Sequence, residues 1–225
     1  MCANFKPIAR NRASLLQLSM PQLEFPEDIY PNQEAPLIFS NRGQIEWRRV
    51  NFGMVPRWAK DLKIARHTYN ARTETVHQKP SFKHAWYRSQ FALIPVEAIF
   101  EPKYVETKNS GAKPEWHAIA RADGLPFTVA ALYENALING RQVRSMSMLT
   151  INADQHPFMR QFHAPEDEKR SIIVIPPSQR AAWLNCNYQE APQFFSDLPD
   201  EYVSFPKLIP TAKTAAAQST QQLLF

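Results

Sequence analysis

The sequence predicts an α+β fold, a single β-rich domain of antiparallel, barrel-like sheets with a few short helices. Three observations carry that expectation. Prolines (19) punctuate the chain far more than glycines (5), and the segments between them are short. Many of those segments alternate or run apolar over strand-like lengths. Strands outnumber helices with no regular βαβ alternation, which favours antiparallel pairing over a doubly wound sheet. At 225 residues and 44% hydrophobic, the chain is long enough to bury one sizeable core.

The elements follow in order. "NRASLLQLS" (11–19) reads as a short helix, and "QIEWRRVNFGMV" (44–55) as the first strand. "KPSFKHAWYR" (79–88) has helical character, and the apolar "FALIPVEAIFE" (91–101) after it reads as a strand. "EWHAIAR" (115–121), "PFTVAALYE" (126–134) and "QVRSMSMLTINA" (142–153) follow as strands, with Asp123-Gly124 and Asn139-Gly140 between them as hairpin signals. "SIIVIP" (171–176) is a last strand, and "PSQRAAWLNC" (177–186) a helix for which Ser178 is the expected N-cap. No internal repeat is visible. The domain is expected to span 1–210, with 211–225 as a flexible tail rich in Ala, Ser, Thr and Gln.

Composition narrows the function classes. The two cysteines, Cys2 and Cys186, form no disulfide framework and no paired metal-binding spacing, so a reducing compartment is the default. Without an apolar leader or a run of about 18 apolar residues, the expected protein is soluble and cytoplasmic, with no membrane partner. Lys and Arg number 26 against 21 Asp and Glu, a net +5 that suits a polyanion. In "VPRWAKDLKIARHTYNARTE", Arg57, Lys60, Lys63, Arg66 and Arg72 interleave with Trp58 and Tyr69, the ingredients of single-strand nucleic-acid binding. A solvated face carrying core aromatics explains the same pattern.

Chemistry points to the start of the chain. If Met1 is removed, Cys2 carries an α-amine and a thiol on neighbouring carbons, and both titrate not far above neutrality. An aldehyde meets two nucleophiles there: the amine gives an imine, and the thiolate closes a five-membered thiazolidine. Elsewhere, "YNARTET" places Asn70 to orient a reacting group and Arg72 to hold a phosphate. "LIPVEAIFEP" sets Glu97 and Glu101 in an apolar segment, where desolvation makes a carboxyl hold its proton more tightly. "FMRQFHAPEDEKRSIIVI" brings His163 and Arg170 before an apolar strand. His156, His163 and Cys2 match no metal spacing, and neither metal nor cofactor is expected.

"MCANF", "FGMVPRWA", "YNARTET", "ALIPVEAIFEP", "FTVAALYE", "MLTINADQHPFMRQFHAPEDEKRSIIVI" and "AAWLN", in this order, resemble the SOS response-associated peptidase (SRAP) family. That family includes proteins first described as 5-hydroxymethylcytosine-binding. The resemblance implies a DNA-damage protein that binds single-stranded DNA and traps abasic sites covalently, a lyase-like crosslinking activity. It also implies self-processing by a cysteine peptidase activity that removes the residue before Cys2. Carried over residue by residue, Cys2, Asn70, Glu101 and His163 are the catalytic set; Arg57, Trp58, Arg72 and Arg170 are the candidates for the DNA face, of which Arg72 and Trp58 carry the better family match. The family commonly opens Met-Cys-Gly-Arg where this chain has Met1-Cys2-Ala3-Asn4, and the Trp after the catalytic glutamate is Pro102 here. Two other functions use the same residues: an N-terminal-nucleophile hydrolase of peptides or amides, and a non-covalent single-stranded DNA-binding module.

The last residues form a separate motif. "QQLLF" resembles the short sequence with which bacterial DNA-metabolism proteins dock on the replication sliding clamp, with Gln221, Leu224 and Phe225 as contacts.

Overall fold

The computed structural model describes residues 3–16, 24–107 and 111–207. Cys2 and the Gln221–Phe225 motif lie outside the described residues.

Among the described residues, ten strands form one sheet system. They are β1 (Asn4–Pro7), β2 (Glu34–Asn41), β3 (Gln44–Phe52), β4 (Asn70–Arg72), β5 (Phe91–Thr107), β6 (Gly111–Arg121), β7 (Phe127–Ile138), β8 (Arg141–Asn152), β9 (Arg170–Ile172) and β10 (Tyr202–Pro206). Two short helices, α1 (Lys83–Tyr87) and α2 (Arg180–Asn185), and several 3-10 turns complete the described chain. Five strands close a ring: β5 pairs β2, β2 pairs β3, β3 pairs β8, β8 pairs β7, and β7 returns to β5. Closure leaves none of the five with two open edges, as a barrel requires. The expected β-rich, antiparallel, barrel-like α+β fold is what the chain adopts, although β3–β8 and β4–β8 pair in parallel.

The long strand β5 extends beyond the ring. Its second half pairs β6 on one side, β1 pairs its middle, and β10 adds to the far edge of β6. Inside the barrel, Phe5, Phe52, Ile94, Ile99, Val129, Met146, Met148 and Phe162 belong to one buried cluster. A second cluster lies under the helices, where the Trp183 indole N–H of α2 donates to the Ala92 carbonyl of β5 at 2.9 Å.

Two turns show how the sequence directs the pairing. Asn139 (φ 49°) and Gly140 (φ 76°) make the two-residue turn that joins β7 and β8, as the Asn-Gly signal predicts. Asp123-Gly124 is different. It turns the chain between β6 and β7, but those strands do not pair with each other; each pairs β5. The Asp123 carboxylate instead accepts from Arg121 and from the Leu125 amide.

Three helical expectations need correction. The described part of the first predicted helix is a 3-10 turn over Arg10–Leu16, residues 17–19 lying outside the described residues, and α1 occupies only the latter half of its predicted span. Ser178 does not cap α2: it sits inside a 3-10 turn (Pro177–Gln179), and Gln179 precedes the helix with no side-chain cap. Prolines at 176 and 177 preset that turn before the helix can start. No helix among the described residues is long and apolar enough to cross a membrane.

Candidate active site

Glu101 and His163 are 62 residues apart in sequence and meet in the fold: His163 Nε2 lies 2.9 Å from Glu101 Oε2, and each side chain is only 2% exposed. β5 supplies the glutamate. The loop after a 3-10 turn (Met159–Gln161) supplies the histidine. That loop is fastened to β5, because Phe162 bridges Lys103 and the His163 amide donates to the Pro102 carbonyl at 2.7 Å. His163 takes a left-handed backbone (φ 67°), which costs a non-glycine residue energy and is held by its surroundings. Lys169 Nζ donates to the carbonyls of His163 and Ala164 and closes the loop from the other side.

A carboxylate only accepts, so with Glu101 ionised the proton of a neutral His163 sits on Nε2. Nδ1 then presents a lone pair. It is buried with no hydrogen-bond partner among the described residues. The arrangement is an imidazole oriented by a buried acid, with its other nitrogen available to accept a proton.

β1 runs antiparallel to the middle of β5 with Asn4 opposite Phe100, so the strand that begins two residues after Cys2 starts one position away from Glu101. Phe5 anchors it, edge-to-face on Phe52 at 5.2 Å, and Phe52 in turn contacts Tyr69 at 5.9 Å. The same aromatic row therefore steadies β1 and the approach to Asn70. Asn70 is buried on β4, opposite Met148 of β8. Glu97, the other acid of the segment, has a different role. It accepts from the Ala9 amide and pairs with Lys6 and Arg12, holding the turn after β1.

Two residues beyond Asn70 on the same strand, Arg72 reaches the surface and pairs with Glu168 at 2.6 Å. Glu168 also binds Arg170 at 2.8 Å, which ties β4 to the His163 loop. Arg170 differs from its expected place on a DNA face. It is 2% exposed, and its guanidinium donates to Glu74, Glu168 and both oxygens of Thr150. Burial alone would raise the Glu74 carboxyl, but the hydrogen bond and charge of Arg170 prevail and hold it below the ordinary range. Arg170 is a bracket between β4, β8 and β9, with no guanidinium face turned to solvent.

Arg57 and Trp58 sit on the excursion between β3 and β4. Gly53 (φ 110°) starts it, and a Cβ there would land on the Ala65 carbonyl oxygen. Thr68 closes it, bonding Met54 through both its backbone and its hydroxyl. Trp58 is 57% exposed, with its indole N–H donating to Pro80, and half-exposed Arg57 pairs with buried Glu134. Lys60, Lys63 and Arg66 are exposed on the same excursion.

The sequence reading missed three acids and two histidines. Glu74, Glu168 and Glu134 neutralise the arginines, and His84 Nδ1 lies 2.5 Å from Glu134. The second histidine, His117, lies directly across from Glu101 on β6. Nothing short of the strand register could have found it.

The remaining candidates have backbone roles. His156 Nδ1 accepts from the amides of Phe158 and Met159, which leaves Nε2–H to donate to the Leu198 carbonyl. Both ring nitrogens are thereby occupied, and neither is free for zinc. Cys186 is buried and its thiol donates to the Trp183 carbonyl; burial pushes its pKa up to about 11. Such a thiol is inert at neutral pH.

A family model described as SOS response associated peptidase (SRAP) matches residues 1–208. The chain belongs to the SRAP family. Among curated proteins, this SRAP chain is 26% identical over 159 residues to the abasic site processing protein YoaM of Bacillus subtilis, covering 70% of this chain and 65% of that one. It is 25% identical over 193 residues to the abasic site processing protein YoqW of Bacillus subtilis, covering 82% and 80%. The chain thus spans just under two thirds of the first of these relatives. A solved Bordetella bronchiseptica protein superposes with a TM-score of 0.82 at 29% identity, covering 92% of this chain and all of that one. A Bacteroides thetaiotaomicron structure shares the fold at 18% identity, with a TM-score of 0.74 over 91% of each chain.

Proposed function

We propose that this SRAP protein binds single-stranded DNA and processes abasic sites by capturing their aldehyde on Cys2. The observation that carries the reading is the buried pair of Glu101 on β5 and His163 on the loop fastened to it, beside the strand that leads back to Cys2. The two Bacillus subtilis relatives, named as abasic site processing proteins, support the substrate class.

In its open form an abasic sugar is an aldehyde at C1′. The α-amine of Cys2 adds to that carbon, and the carbinolamine loses water to give an imine. The thiol then adds to the imine carbon. One C–N and one C–S bond form, and the carbonyl oxygen leaves as water with one proton from nitrogen and one from sulfur. Each stage moves a proton to or from oxygen or nitrogen, the task of a carboxyl–imidazole pair held away from bulk solvent. His163 Nδ1 is the acceptor, Glu101 holds the ring and balances its charge, and Asn70 orients the amine or a sugar oxygen.

Removal of Met1 exposes the amine, and self-cleavage would use the same thiol as nucleophile. Arg57, Trp58 and Arg72 make the DNA face, cations for phosphates beside a ring on which a base can stack. The C-terminal Gln221, Leu224 and Phe225 would tether the protein to the sliding clamp. Deleting Gln221–Phe225 should abolish clamp pull-down and leave DNA capture intact; unchanged pull-down would overturn the tether.

The test of the main reading is incubation with single-stranded DNA carrying one abasic site, followed by a denaturing gel. A shifted band that disappears in Cys2→Ala is expected. No band, or one that persists in Cys2→Ala, would overturn the proposal.

A further inference from the structure

We infer that His117 is a further substrate-contacting residue of this site, holding the ring oxygen of the abasic sugar as that ring opens. The inference rests on the function proposed above. Four observations place His117. It is directly opposite Glu101 in the antiparallel β5–β6 pair, so the two side chains project from the same face of the sheet within reach of one another. Its ring packs edge-on against Phe162, the residue before His163, with centroids 6.2 Å apart. It is 92% buried by its 8% relative exposure. Neither of its ring nitrogens has a hydrogen-bond partner among the described residues; the Glu115 carboxylate lies 3.7 Å from Nε2, close enough to pair with a protonated ring but too far for a hydrogen bond.

An unpartnered imidazole is expensive to bury, because each polar atom that gives up water without a replacement costs about 1–3 kcal/mol. Here two such nitrogens, and a third on His163, lie around one buried carboxyl. Buried polar groups in native proteins are ordinarily satisfied, so imidazole nitrogens left without partners on two histidines flanking the same carboxyl point to something polar that arrives there. By contrast His156, a histidine with a purely structural role, has both nitrogens bonded to backbone.

Ring opening moves two protons, and a third buried polar group beside Glu101 and His163 can share that work. The abasic sugar rests as a cyclic hemiacetal. Opening it breaks the bond from C1′ to the ring oxygen, removes the proton from the C1′ hydroxyl, and delivers a proton to the ring oxygen, which becomes the C4′ hydroxyl. The Glu101–His163 pair can take the first proton. A second donor on the same face completes the transfer, and an imidazole N–H across the strand pair from Glu101 meets that requirement.

The test separates this contact from packing. His117→Phe keeps the ring against Phe162, and His117→Gln keeps a donor; both are first checked by thermal melting. Single-turnover capture is then measured on two oligonucleotides. One carries an abasic site, and the other an aliphatic aldehyde on a linear linker that has no ring to open. His117→Phe should slow capture of the abasic site about tenfold, the worth of roughly one hydrogen bond. The half-saturating DNA concentration should stay within twofold, the linear aldehyde should react at the wild-type rate, and His117→Gln should recover part of the loss. Unchanged capture of the abasic site, or equal slowing on both oligonucleotides, would overturn the assignment. Absence of any adduct with the wild-type protein would instead overturn the function on which it rests, and the inference with it.

Discussion

Replacing Glu101 tests whether the buried pair works as one unit. Glu101→Gln keeps the shape and an oxygen that accepts from His163 Nε2–H, but removes the charge that favours a protonated imidazole. A hydrogen bond to a charged group contributes about 1.5–3 kcal/mol and a neutral one about 1 kcal/mol, so the stability change should be about 1–2 kcal/mol. For a chain of this size that is a fall of about 2–8 °C in Tm. Capture should fall further, by about 10²–10³, the usual contribution of a positioned acid–base group. Glu101→Ala should lose the same activity and more stability, because Nε2 at 2.9 Å is then left buried without an acceptor. Combining Glu101→Gln with His163→Asn, whose side chain tolerates the left-handed backbone at 163, should cost little more activity than either change alone. The assay is single-turnover adduct formation on a denaturing gel, with a melting curve for each variant. A Glu101→Gln rate within threefold of wild type, or single-variant losses that multiply in the double variant, would refute the reasoning.

Other predictions follow from the charge network and the two cysteines. Glu168→Gln should release Arg72 and tighten single-stranded DNA binding several-fold at low salt, whereas Arg72→Ala should flatten the salt dependence by about one ion, both read by fluorescence anisotropy. Arg170→Met should lower Tm and leave that salt slope unchanged, since its guanidinium is buried on Glu74, Glu168 and Thr150. Iodoacetamide at pH 8 should label the native protein only at Cys2, and Cys186 should react once the chain is unfolded. Because burial raises the Cys186 thiol to about 11, its stabilising contribution is complete below the unfolded thiol's value near 8.5 and is lost as pH rises towards 11, which a pH series of denaturant melts would show. Gly53→Ala should sharply reduce the folded fraction by circular dichroism, because the new Cβ meets backbone and the φ of 110° is unsuited to alanine.

How much of this was legible in the sequence depends on whether a residue's role is local. β5, β7 and β8 declare themselves as apolar runs, and Asn139-Gly140 dictates its own turn. β2 escapes because Pro36 interrupts its pattern, yet β2 meets β5 only at Ile38 and Phe39, so the proline donates nothing that the sheet needs there. β4 is three residues long and gains its identity from a parallel partner, which no periodicity reveals. At the site, Glu101 and His163 could be named from motifs, but their contact is a product of the fold. Arg170 looked like a phosphate ligand because Glu74, 96 residues away, is invisible as its partner until β4 and β9 flank β8. His117 is the extreme case, since its relation to Glu101 exists only in the register of β5 on β6.

The central claim is that the aldehyde ends on an aminothiol at residue 2, and the intact mass of the DNA adduct tests it most directly. The account predicts a species equal to the protein without Met1, plus the abasic oligonucleotide, minus one water, stable without a reducing agent. In Cys2→Ser, which keeps the amine but lacks the thiol, the stable adduct should be absent and appear only when borohydride traps the imine. An adduct that retains Met1, or one that survives unreduced in Cys2→Ser, would contradict it.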